Sequence, residues 1–256
     1  MEPLWREPAT AGVFLDFDGT LSSIVDEPST ARPVEGASDL LVRLGSNFGL
    51  VAVVSGRPAG FLEERLGRPP GVRMIGLYGL EEVGRDAGPC ADVEARRWRP
   101  IVEAAVRDAR RVAPGGVAIE HKGLGFTIHF RRAPQSRDWA HDYAAELGHR
   151  LGLAVQEARM AVELAPPGTS DKGAVVSALA ARCTAVCCFG DDVGDLGAFR
   201  ALDALRRGGV SVVKIAVASP EGPEELVQAA DAVVEGPQGV LVVLRQLIEG
   251  VGGAQG

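Results

Sequence analysis

A chain of 256 residues, 46% hydrophobic and 24% charged, can bury one large core or two modest ones, which excludes a disordered or low-complexity protein. The formal net charge of -7 argues against nucleic acid as a partner, since that affinity comes mostly from Lys and Arg neutralising phosphates. A small anion stays open if the chain supplies local positive potential.

Residues 1–10 are polar with two prolines and lack the basic-then-apolar pattern of a signal peptide. Later apolar runs are strand-sized, so cytoplasmic residence without a membrane partner, as a monomer, is the expectation. In chain order, short apolar runs at 13–17, 50–54 and 74–77 alternate with helical patterns. Leu40, Leu41 and Leu44 recur at helical spacing, and Pro58 opens a helix carrying Phe61, Leu62 and Leu66. Strand, helix, strand, helix, strand reads as a parallel sheet with crossover helices.

From about residue 93 the pattern changes. A long helix with Ile101, Val102, Ala105 and Val106 precedes Gly115-Gly116 and strands at 117–121 and 125–130. Pro134 starts a helix through Trp139, Tyr143 and Leu147, and strands follow at 154–158 and 161–164, a compact α+β module. Parallel-type signals resume with a helix at 172–181, a strand at 185–189, a helix at 196–202, strands at 212–217 and 232–234, and a helix at 240–248. The expected fold is α/β: a doubly wound parallel sheet, Rossmann-like, built from 1–92 and 166–256, with 93–165 inserted. Cys90, Cys183, Cys187 and Cys188 fit no common zinc spacing and read as buried thiols, and His121, His141 and His149 as structural or exposed.

The first predicted strand runs into Asp16-Phe17-Asp18-Gly19-Thr20. Ligands of open parallel sheets bind beyond the carboxyl ends of strands, so Asp16 and Asp18, one residue apart, share a side where chemistry is expected. A second acidic cluster, Gly190-Asp191-Asp192-Val193-Gly194-Asp195, follows another apolar strand. Carboxylates gathered at two strand ends repel without a divalent cation, and oxygen-only ligands suit Mg²⁺. Ser55-Gly56-Arg57-Pro58 comes between a strand and a helix, where a hydroxyl and backbone N–H groups can hold a phosphate oxygen. Lys172 follows Thr169-Ser170-Asp171 and opens a helix, a place the helix dipole disfavours for a cation, which points to an anion held there.

In this order, Asp-x-Asp-Gly-Thr, a strand-end serine, a helix-opening lysine and Gly-Asp-Asp-x-x-Asp resemble the four motifs of the haloacid dehalogenase (HAD) superfamily. The resemblance implies an HAD-like core with a cap domain. It also implies Asp16 as nucleophile, Asp18 as general acid then base, Ser55, Gly56 and Lys172 on the phosphoryl group, and Mg²⁺ held by Asp16, Asp18 and Asp191, with Asp192 and Asp195 behind them. Covalent catalysis suits the difficulty. Phosphate-monoester hydrolysis requires up to ~10²¹-fold acceleration, whereas one acid-base group contributes about 10²- to 10⁴-fold.

Over nearly the whole chain the sequence is similar to the trehalose-phosphate phosphatases. Asp18-Gly19-Thr20-Leu21, Ile24-Val25, Pro28, Ala31, Ser55-Gly56-Arg57-Pro58 and Gly79-Leu80-Glu81 resemble the family's N-terminal pattern. Glu120-His121-Lys122, His129-Phe130-Arg131 and Val162-Glu163-Leu164 with Lys172-Gly173 resemble its cap and cap-to-core signatures. Tyr78, Gly194 and Leu196 depart from it. The resemblance implies a Mg²⁺-dependent phosphatase for a small-molecule sugar phosphate, trehalose 6-phosphate, with Glu120, Lys122 and Glu163 on sugar hydroxyls. Glu120 and Lys122, taken as alternating on a strand, have a solvent-facing ion pair as their alternative reading. His129 and Arg131 divide between cap structure and substrate contact. Arg57, counted with the substrate-binding residues, could instead pair with an acidic neighbour. Rival readings are sucrose 6-phosphate or mannosyl-3-phosphoglycerate as substrate, a phospho-receiver signalling domain, and a non-catalytic sugar-phosphate binder.

Overall fold

The computed structural model describes residues 1–25, 27–83, 89–91, 96–158, 160–167, 171–219 and 222–254, with backbone alone at 89–91 and 254. The expected helix start near 93, the boundary at 92/93 and Thr169-Ser170 lie outside the described residues, as does the Cys90 side chain. The chain divides into two compact units, Met1–Gly88 with Ser170–Gly256, and Pro89–Thr169.

The first unit opens with helix α1 (Glu2–Arg6), strand β1 (Ala11–Leu15), α2 (Ala37–Asn47), β2 (Leu50–Val54), α3 (Ala59–Leu66), β3 (Val72–Gly76) and β4 (Glu81–Val83). A short strand, β5 (Pro89–Ala91), comes next in sequence. The second unit then holds α4 (Arg99–Val112), β6 (Ala118–His121), β7 (Phe126–His129), α5 (Arg137–Leu151), β8 (Ala154–Ala158) and β9 (Ala161–Ala165). The first unit resumes with α6 (Lys172–Leu179), β10 (Ala185–Gly190), α7 (Leu196–Arg207), β11 (Ser211–Ala218), α8 (Glu224–Ala229), β12 (Ala232–Glu235) and α9 (Gly236–Ala254).

The main sheet runs β12-β11-β10-β1-β2-β3-β4, parallel except for the antiparallel β3–β4 pair. β1 is buried along its whole length because helices cover both faces. Val13 and Leu15 point into a core shared with Leu41 and Leu44 of α2 and Leu244 and Leu247 of α9. Phe14 points the other way, among Val176 of α6 and Phe199 and Leu202 of α7. The strand order reverses at β1: β2 and β3 extend to one side, β10 to β12 to the other. Such a switch point opens a crevice beyond the carboxyl ends of adjacent strands.

The second unit is an antiparallel sheet, β6-β7-β9-β8. Phe126, Ile128, Val162 and Leu164 pack onto Val102 and Val106 of α4 and Ala144 and Leu147 of α5. Across the strands the register aligns Glu120 with Thr127, Thr127 with Glu163, and Glu163 with Gln156, so the opposite face carries a polar row.

The expected α/β fold is present, with shifts at element ends. The first strand closes at Leu15, two residues before the end of the apolar run, because the Phe17 carbonyl turns to accept the N–H groups of Leu21 and Ser22, both at 2.9 Å. α1, α8 and β4, absent from the predicted elements, span 5, 6 and 3 residues, too few to display a periodicity. No described helix is long and apolar enough to cross a membrane. Phe14→Ala removes a fully buried ring from the central strand and should cost about 3–5 kcal/mol of stability, measurable by urea unfolding.

Candidate active site

β1 and β10 lie side by side with Leu15 level with Phe189, so Asp16 and the Gly190-Asp191 segment leave the sheet together. Among the described residues, one group of acidic side chains is placed to share a metal ion: Asp16, Asp191 and Asp195, all buried, with carboxylate oxygens within 4.8 Å of one another. The Lys172 ammonium lies 2.7 Å from Asp16 Oδ2 and 2.7 Å from Asp195 Oδ1. Its position follows from the start of α6, where Asp171 caps the helix by accepting from the Ala174 N–H at 2.8 Å.

The acidic loop after β10 is folded by its own side chains. Asp195 Oδ2 accepts from the backbone N–H groups of Asp191 at 3.0 Å and Asp192 at 3.3 Å, and Asp192 Oδ1 accepts from Gly194 N–H at 2.8 Å, a reciprocal capping arrangement. Both Asp195 oxygens are thereby engaged, whereas Asp191 Oδ1 is buried without a hydrogen-bond partner. Two glycines permit the approach. A Cβ on Gly19, whose φ is +69°, would fall 1.9 Å from Asp191 Oδ2, and one on Gly190 would fall 2.3 Å from Asp195 Cγ.

Burial pushes the Asp16 carboxyl up to about 8; Lys172 pulls it down, while Asp195 and Asp192 add to the rise. Burial, then Asp16 and its acidic neighbours, holds Asp191 well above the usual carboxylate range. Asp195 is raised by burial in spite of Lys172. Burial opposes the charge on Lys172, but Asp16 and Asp195 outweigh it and hold its pKa well above the ordinary value. An excess of buried carboxylate over ammonium, an orphaned buried oxygen on Asp191 and an all-oxygen donor set fit a hard divalent cation such as Mg²⁺.

Asp18, expected as a further metal ligand, turns its carboxylate to Arg57, which donates from Nε at 2.7 Å and Nη2 at 2.8 Å. Ser55, buried at the end of β2, accepts from Arg57 N–H at 3.2 Å. Gly56 passes so close to Tyr78 that a Cβ would lie 2.5 Å from its hydroxyl. Glu81, not singled out as a site residue, accepts from Ala59 N–H at 3.0 Å and so caps α3 beside this loop.

In the second unit the solvent-facing Glu120–Lys122 pair does not form. Lys122 follows the end of β6 and is buried, with its ammonium 3.2 Å from Glu163 Oε1, because the β6-β7-β9 order brings these strands onto one face. Glu120 Oε2 lies 2.8 Å from His129 Nε2. Between them Thr127, also missed, is buried with its hydroxyl unpartnered; the polar residue set between Phe126 and Ile128 was its only signal.

The trehalose-phosphatase family model matches residues 14–231, which takes in every motif placed above. The chain belongs to the trehalose-phosphatase family. The trehalose-phosphate phosphatase of Mycobacterium leprae is 36% identical over 224 residues, 81% of this chain and 51% of that protein. The chain spans about half the length of the curated relatives it matches. The C-terminal domain of Candida albicans trehalose-6-phosphate phosphatase shares the fold, with a TM-score of 0.76 at 22% identity over 97% of each chain. A phosphatase of the HAD superfamily from Bacteroides thetaiotaomicron shares it at a TM-score of 0.57 and 18% identity, over 93% of this chain and 96% of the other.

For this trehalose-phosphatase family member, raised carboxyl pKa values carry a stability consequence. The metal-free native state keeps a proton on Asp16 between 3.8, the ordinary value, and about 8, a range in which the unfolded state has lost it. Native protein then binds more protons than unfolded, so stability falls as pH rises through this window. Melting of chelator-treated protein should occur at lower temperature at pH 8 than at pH 5, with Mg²⁺ raising it more at pH 8; equal Mg²⁺ shifts at both pH values would contradict this.

Proposed function

We propose that this chain hydrolyses trehalose 6-phosphate to trehalose and phosphate, with Mg²⁺ as cofactor and an aspartyl-phosphate on Asp16 as intermediate. The observation that carries the reading is the buried convergence of Asp16, Asp191 and Asp195 on Lys172 at the switch point of the sheet. Mg²⁺ bound by Asp16 and Asp191 would supply positive charge against the phosphoryl oxygens and offset the carboxylate excess.

Asp16 attacks the phosphorus as the bond to the sugar oxygen breaks, and Asp18 donates the proton that the departing oxygen takes up. Asp18, now ionised, accepts a proton from the water that breaks the acyl-phosphate, releasing phosphate and restoring the Asp16 carboxylate. Lys172 orients the nucleophile and, with Ser55 and the Gly56 N–H, balances charge on the phosphoryl oxygens. Asp195 holds Lys172 and the Asp191 loop in place through both of its oxygens, and Asp192 caps the same loop.

Glu120, Lys122 and Glu163 read sugar hydroxyls. Their polar row supports the role, because charged groups arranged for hydroxyls lose their pairing with a wrong sugar. Cytoplasmic residence accords with unbridged thiols at Cys183, Cys187 and Cys188.

A phosphate-release screen across sugar phosphates, with and without Mg²⁺, tests the function. Trehalose 6-phosphate should be the preferred substrate and Asp16→Asn should reduce Mg²⁺-dependent release to background; appreciable turnover by that variant removes the nucleophile. Glu163→Gln should lower kcat/KM for trehalose 6-phosphate at least ~10-fold more than for an aryl phosphate, and equal losses would remove the sugar-reading role.

A further inference from the structure

Arg57 holds Asp18 with a planar fork: Nε reaches one carboxylate oxygen at 2.7 Å and Nη2 the other at 2.8 Å. A bidentate pair of this kind fixes the rotation of the carboxylate as well as its position, which a lysine ammonium cannot do. The fork is itself fixed. Arg57 Cζ lies 4.7 Å from the ring centroid of Phe61, and Phe61 meets Phe17 edge-on at 5.7 Å. Arg65 Cζ lies 4.9 Å from the same ring, with its guanidinium donating to the carbonyls of Ser29 and Ala31.

The backbone is equally constrained. Arg57 N–H donates to Ser55 Oγ at 3.2 Å, its carbonyl accepts from Leu77 N–H at 3.0 Å, and Pro58 restricts Arg57 to extended conformations. A guanidinium stacked, buried and anchored in this way has little freedom to follow a sugar hydroxyl, but it is well built to aim the side chain it grips.

We propose that Arg57 is a positioning residue that sets the Asp18 carboxyl group, which carries its proton on a lone pair the fork leaves open, to protonate the leaving oxygen. The inference rests on the phosphatase reading above, in which Asp18 is the acid. Arg57 acts through Asp18, so its removal weakens proton donation to the leaving group and spares substrate affinity.

The test compares the unsubstituted protein with R57K and R57M in Mg²⁺, using trehalose 6-phosphate, phenyl phosphate and 4-nitrophenyl phosphate. The parameter kcat/KM reports steps through leaving-group departure, and 4-nitrophenolate leaves with little need of a proton whereas phenolate needs one. In both variants the kcat/KM ratio of 4-nitrophenyl to phenyl phosphate should rise about 10-fold. With trehalose 6-phosphate, kcat should fall at least ~10-fold while KM stays within about threefold.

The ratio is taken on one preparation and cancels the fraction correctly folded, so partial misfolding does not imitate the effect. Should the unsubstituted protein reject aryl phosphates, the kcat against KM split with trehalose 6-phosphate decides. Equal losses on both aryl phosphates, or a raised KM with unchanged kcat, overturn the inference and make Arg57 a substrate contact or a purely structural residue. Absence of phosphate release from every substrate by the unsubstituted protein overturns the phosphatase reading itself, and the inference with it.

Discussion

The structure turns on the meeting of buried carboxylates with one buried ammonium where β1 and β10 end. Asp16, Asp191 and Asp195 have been taken out of water and set within 4.8 Å of one another, an arrangement that costs free energy unless positive charge balances it. Lys172, reaching Asp16 and Asp195 at 2.7 Å each, supplies part of that balance. The remainder is a demand for a cation, visible in the Asp16 carboxyl pushed up to about 8 and in the orphaned Asp191 oxygen. Fully covered parallel strands, a capped acidic loop and glycines at positions 19 and 190 all serve to hold groups together that would otherwise separate.

The charged residues of the two units are organised by different means. In the first unit they sit at strand ends and helix starts, where backbone N–H groups and helix caps are available to them. In the second they stand on the polar face of an antiparallel sheet, opposite its helices, where register alone makes neighbours of Glu120, Thr127, Glu163 and Gln156. Lys122 reaches its partner Glu163 only because β9 inserts itself next to β7.

This difference explains what could be read from the sequence. The alternation of apolar runs with helical spacing revealed the doubly wound sheet, and chemistry confined to strand ends revealed Asp16, Lys172 and the acidic loop, because local pattern and local backbone geometry agree there. The grip of Arg57 on Asp18 was open in sequence, since any nearby acid would have satisfied the arginine. The Lys122–Glu163 pair depends on strand order and could not be seen in spacing. Thr127 gave only a weak sign, a polar residue between two apolar ones, which an exposed strand position would give equally. The difference between Asp195, with both oxygens occupied, and Asp191, with one idle, is a matter of side-chain orientation that composition does not encode.

The pairing of β1 with β10 has a consequence for how the molecule assembles. Ala11 takes its neighbour from Ala185, across the entire second unit, which is continuous in sequence and has a hydrophobic core of its own. On an emerging polypeptide, the intervening module and its core are synthesised before β1, which already has β2 at hand, can meet β10. The buried acidic cluster is then among the last features to form, and a chain arrested before residue 185 carries Asp16 without the strand that brings Asp191 beside it.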